Sequence, residues 1–233
     1  MRNKKWKKFN SLTGKCYSNL IGAEKDAGCW EQAFDLLKEI VLEERQKDPG
    51  FGLELEQLEE ATDYEYDIEG WLEDCLDEID MREEKVLLLK MCDNLLDLFN
   101  WPEYTGSDLK FRKTTALCEL GRVSEAAKYC REWMKKEPEN LTAATAGVYA
   151  FIETEEFDAA EELVGRFIPD RSSCTEENDI MFTAASKLYE TIGKNEEKQQ
   201  MEDALEKYDQ YLEKYLTGSD EDDEDYFDEL PFN

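Results

Sequence analysis

The chain has 233 residues, enough to bury a core in one elongated domain or two small ones, and its 41% hydrophobic and 12% aromatic content argues against global disorder. Fifty-eight acids against 28 bases leave a formal charge of −30. That field repels phosphate backbones and anionic lipid surfaces, so nucleic acid and membrane are not the expected partners.

The N-terminus opens on the basic cluster Arg2, Lys4, Lys5, Lys7 and Lys8, as a signal peptide does, but no uninterrupted apolar segment follows. No run of about 18 apolar residues occurs elsewhere, and a cytoplasmic location is expected. A first helical hairpin is expected near 14–48. Tyr17, Leu20 and Ile21 come before a turn at Gly28, and Trp30, Ala33, Leu36, Leu37, Ile40 and Val41 follow it on one helical face. Residues 49–68, with turn signals in "DPGFG" and more length than a connection needs, read as an insertion containing one short helix.

A second hairpin, near 69–101, sets Leu72, Leu76 and Ile79 against Leu88, Cys92, Leu95 and Leu96, and it lacks a turn glycine. The third, near 107–138, is the clearest. Phe111, Leu117 and Leu120 lead to Gly121, and Ala126, Ala127, Cys130, Trp133 and Met134 follow before Lys135, Lys136 and Pro138 stop the helix. Thirty-four residues after Gly121 stands Glu155. Phe157, Ala160, Leu163, Val164, Phe167 and Ile168 then repeat the spacing, giving a fourth hairpin near 141–168 whose first helix is small on one side through Ala144, Gly147 and Val148. A fifth, near 179–216, has Phe182, Ala185 and Tyr189 before Gly193 and Met201, Ala204 and Leu205 after it. The remaining tail, 217–233, carries eight acids and no base and is expected to be disordered.

This pattern resembles the tetratricopeptide repeat family, whose helix-turn-helix unit is 34 residues long. The resemblance is most specific over Asp108–Ile168, where Gly121, Ala126 and Pro138 stand at the family's spacing. It implies an all-α fold over 1–216, a right-handed superhelical solenoid of about five hairpins, each burying its apolar face on its neighbours. It also implies a concave groove lined by the first helix of each hairpin. Carried onto this sequence, that face holds Glu73, Asp77, Asp108, Phe111, Thr115, Tyr149, Glu153, Lys187 and Glu190. The groove is acidic with aromatic interruptions. An acidic peptide of the kind some family members clamp would be repelled by it.

Candidate chemistry is sparse. The absence of histidine removes the usual proton shuttle near neutral pH and the commonest ligand of catalytic zinc. No Walker loop, dinucleotide-type glycine fingerprint or G-x-S-x-G elbow occurs. The seven cysteines are odd in number and scattered, with no C-x-x-C pair, and read as reduced thiols. Cys174, in "RSSCTEEN", is the candidate exposed thiol. Asp220, Asp222 and Glu224 alternate like calcium ligands but lack the central glycine and terminal glutamate of an EF-hand. No cofactor, metal or enzymatic activity is expected.

The expected function is a protein-interaction scaffold or adaptor. Its groove would accept a basic or amphipathic protein segment, with Phe111 and Tyr149 as anchors and Glu73, Asp77 and Glu153 selecting positive charge. Two alternatives stand beside it. A regulatory tail, anchored by Tyr226, Phe227, Leu230 and Phe232, would mimic nucleic acid or occlude a basic site. A structural protein would self-associate weakly, the basic N-terminal cluster meeting an acidic tail or the terminal helix pairing with itself.

Overall fold

The computed structural model describes residues 2–23 and 25–217. Among these the chain forms eleven helices and no strand, so the all-α expectation holds. The expected tail and its motif residues Tyr226, Phe227, Leu230 and Phe232 lie outside the described residues. The helices group into two compact units that divide after Arg122. The expected hairpin 107–138 thus contributes its first helix to one unit and its second to the other.

The first unit holds α1 (Arg2–Leu20), α2 (Cys29–Lys47), α3 (Leu55–Glu60), α4 (Ile68–Met81), α5 (Lys85–Leu98) and α6 (Ser107–Glu119). Its core is aromatic. Trp30 and Trp71 stack with ring centroids 6.3 Å apart, Phe9 meets Trp71 edge-on at 5.2 Å, and Trp6 stacks on Tyr66 at 5.0 Å. The first hairpin departs from expectation. The α1 helix begins at Arg2, and its buried face is Trp6, Phe9, Leu12 and Cys16, whereas Tyr17, Leu20 and Ile21 are exposed. The turn lies at Gly22, with φ of +73°, while Gly28 has an ordinary helical φ of −67° just before α2. Lysines interleaved with Trp6 and Phe9 disguise the apolar spacing that starts this helix early.

The insertion does contain one short helix, α3, and is tied down by Arg45 of α2. The Arg45 Nε donates to the Phe51 carbonyl at 3.0 Å, and its Nη atoms donate to the carbonyls of Gly52 and Leu98. The Asn100 amide donates to the Leu53 carbonyl at 2.7 Å. Buried Glu59 accepts the Glu69 amide at 2.8 Å, satisfying one of the free donors at the start of α4.

The second unit holds α7 (Val123–Lys136), α8 (Leu141–Glu153), α9 (Phe157–Phe167), α10 (Asp179–Thr191) and α11 (Asn195–Thr217). Here small residues sit in the core alongside Trp133, Phe151, Phe182 and Tyr189. Ala126, Ala143, Ala144, Ala146, Ala160, Ala184 and Ala185 are all buried. A Cβ on Gly147 would lie 3.0 Å from the Met134 side chain and 3.1 Å from that of Leu163, so this glycine marks where α7 and α9 both approach α8. The α8 helix packs on α7, α9 and α10, and α10 packs on α9 and α11.

One turn geometry recurs along the chain. After α4, α6, α8 and α10, the residues Glu83, Gly121, Glu155 and Gly193 have left-handed φ values of +60°, +71°, +57° and +74°. Each donates its amide to the carbonyl three residues back, and the next residue donates to the carbonyl five back. This pair of bonds closes the helix end. After α4 and α8 a glutamate takes the conformation that a glycine takes after α6 and α10.

Candidate functional site

On the first unit, Glu73 and Asp77 stand four residues apart on α4, and Asp108, Phe111 and Thr115 follow one face of α6. The four polar residues are exposed and Phe111 is half-buried. A residue that the stripe spacing passed over joins the two helices. Arg112 places Nη1 2.7 Å from Asp77 Oδ1 and Nε 2.6 Å from Asp108 Oδ2. Burial works against its charge, but the bonds and fields of Asp108 and Asp77 hold its pKa above the ordinary value. Asp77, one of the three acids expected to select positive charge, and Asp108 of the same face therefore share a cation of this chain.

Glu73 belongs to a different neighbourhood. It adjoins Glu69, whose carboxyl is raised by burial first and then by the charges of Glu73, Glu59, Glu56 and Asp67. Several acidic side chains thus gather around the start of α4. Tyr17, expected in the core, instead donates its hydroxyl to Asp74 Oδ2 at 3.0 Å on the same helix.

On the second unit, α8 starts at a built corner. The Asn140 side chain accepts the Ala143 amide at 3.1 Å, and Glu137 Oε2 accepts from the Trp133 indole at 2.8 Å and from Asn140 Nδ2 at 2.6 Å. This fixes the rotation of α8, which carries Tyr149 and Glu153 one turn apart. Tyr149 is half-buried, and burial raises its pKa. Glu153 is exposed and has no ion-pair partner among the described residues. On the adjoining α10, exposed Glu190 sits between Lys187 at 3.2 Å and Lys198 at 3.0 Å, and their hydrogen bonds hold its carboxyl below the usual range. Lys198 comes from α11 and had no place in the expected face.

The concavities within the units lie elsewhere. A shallow depression of about 610 Å³ on the first unit is rimmed by Glu31, Glu84, Lys85, Lys90 and Glu119 over Val86 and Leu120. Lys85 is paired there with Asp80 and Glu119, and Lys90 with Glu31. Another, of about 440 Å³, lies on the second unit between Arg171, Ser172 and Lys207.

All seven cysteines are free. Burial pushes the thiols of Cys16 and Cys92 up to about 12. Cys174, expected to be exposed, is half-buried, and burial followed by Asp179 and Asp209 pushes it up to about 11. A thiol so raised holds little thiolate at neutral pH and is a poor nucleophile. No group of three or more cysteine or acidic side chains among the described residues is placed to hold a metal ion, and no described helix is long and apolar enough to cross a membrane.

Compared with family models, with curated proteins and with solved structures, the chain finds no match in any of the three.

Proposed function

We propose that the protein is an interaction scaffold or adaptor of tetratricopeptide-repeat type, its hairpins forming a right-handed solenoid whose acidic face receives a basic or amphipathic protein segment. The observation that carries this reading is the direct packing of α8 on α10. Each is the first helix of its hairpin, and such helices standing side by side create one continuous outward face. That face carries Tyr149 as a half-buried aromatic and Glu153 as an exposed acid with no ion-pair partner among the described residues. A tyrosine ring flanked by an exposed carboxylate suits a lysine or arginine set beside an apolar residue. On the first unit, Glu73 rather than Asp77 or Asp108 is the acid left to select positive charge.

The test is affinity capture from the source lysate with full-length chains: wild type, Tyr149→Ala/Glu153→Lys, Glu73→Lys, and Asp77→Asn. The reading expects a partner with a basic segment that is lost with the first variant, weakened with the second and kept with the third. Retention by all three variants would sink it. Recovery that instead depends on residues 218–233 would transfer the function to the tail.

A further inference from the structure

The α1 helix is the one described helix without an acidic residue, in a chain of net charge −30. Its lysines also fall into a pattern. Lys4, Lys7, Lys8 and Lys15 stand at i, i+3, i+4 and i+11, which is a single stripe on an α-helix, with Ser11 filling the position between. All four lysines are exposed, on the side away from Trp6, Phe9, Leu12 and Cys16. None has an ion-pair partner among the described residues. Lys5, off the stripe, is the lysine that faces α2, 2.9 Å from Glu39 and 2.6 Å from Glu43. One lysine of the helix is therefore used to hold the fold, and four are left for something else.

The occupant of such a stripe must be anionic and short. An extended polyanion such as a duplex or a lipid surface would reach past α1 onto the surrounding acidic surface, whereas a local segment feels only the charges within a Debye length of about 8 Å. The stripe from Lys4 to Lys15 runs about 17 Å along the helix. The sequence of this chain contains a run of matching length and opposite sign: Asp220, Glu221, Asp222, Asp223, Glu224 and Asp225 are consecutive, with no base anywhere in 218–233. Six residues extended span about 20 Å.

We propose that the exposed lysine face of α1 is a docking surface for the acidic segment 218–233 of a second copy of this chain. The stripe and the segment are different surfaces carried by every copy, so the contact is heterologous and links copies head to tail. It is made of exposed ion pairs and is accordingly weak and salt-sensitive. It stands apart from the α8–α10 face and does not depend on it.

The test uses the full chain, mixing isotope-labelled and unlabelled protein, with carbodiimide cross-linking read by mass spectrometry and self-association read by sedimentation. Expected are mixed-isotope cross-links joining Lys4, Lys7, Lys8 or Lys15 to acids between Asp220 and Glu229. Association should fall about tenfold or more as salt rises from about 0.05 to about 0.5 M. Lys4/Lys7/Lys8/Lys15→Glu, all at exposed positions, should abolish both with unchanged helical circular dichroism. Cross-links confined to single copies, or centred on Lys128 and Lys135, would overturn the proposal. So would association that survives the charge reversal, or a monomer that binds phosphatidylserine vesicles through these same lysines.

Discussion

At the centre of the first unit Trp30, Phe9 and Trp71 meet ring to ring, and Arg45 gathers three backbone carbonyls from an irregular insertion. The second unit buries Phe182 and Tyr189 as well, but many alanines share its core and Gly147 marks a close approach of helices, with three-residue turns after α8 and α10. The two units show different routes to a packed helical core. Large rings each bury considerable area but need neighbours of matching shape. Small residues contribute less area apiece and let helix backbones come close along their whole length.

The contrast can be broken most severely at Trp71. It is 1% exposed and in contact with two other rings, and Trp71→Ala should cost about 3–5 kcal/mol, read by denaturant unfolding. In the second unit the damaging change goes the other way. Gly147→Val adds atoms where a Cβ alone already comes within 3.0 Å of Met134, and should cost about 1–3 kcal/mol through overpacking. If Gly147→Val proves neutral in the same assay, the close approach of α7 and α9 to α8 is not a constraint.

Smaller effects are expected where helices begin and turn. Asn140→Ala removes the cap of α8 and leaves Glu137 with one donor fewer; a loss of about 1 kcal/mol in thermal or chemical unfolding is expected. At Glu155, left-handed at +57°, replacement by glycine should stabilise by about 0.5–1 kcal/mol. The relief of a non-glycine residue in that conformation exceeds the added chain entropy. Glu155→Gly and the parallel Glu83→Gly, measured side by side, test whether both turns carry the same strain.

The smallest effect is one of pH. Glu69 is held above the usual glutamate range in the folded chain, so over that interval the native state binds more proton than the unfolded state. Its contribution therefore favours folding at lower pH and is lost as pH rises through the folded pKa. Glu69→Gln should flatten that part of the stability profile, measured between the ordinary glutamate range and neutrality. An unchanged profile would mean that the surrounding acids are screened by solvent.

Much of the stretch from Gly121 to Ile168 was legible because its signals are local. Gly121 and Glu155 stand 34 residues apart and adopt the same left-handed turn, and the apolar spacing around Ala126, Ala160 and Val164 places these residues in the core. The first hairpin was misread for an equally local reason. Gly28 looked like the turn, but Gly22 takes the left-handed conformation, and the lysines between Trp6 and Phe9 hid a helix that starts at Arg2. At the candidate site, the family resemblance implied Asp77 and Asp108 but gave no sign that Arg112 would pair with both.

The sequence by itself determined that the chain is helical, where most helices stop, and which residues share a face, because these follow from a period of 3.6 and from turn chemistry within a few residues. Tertiary packing set which acids pair with a cation, that Arg45 anchors the insertion, and that Lys5 is the α1 lysine with an ion-pair partner among the described residues. Those outcomes depend on what lies across from a residue, and a helical period carries no information about the opposite side.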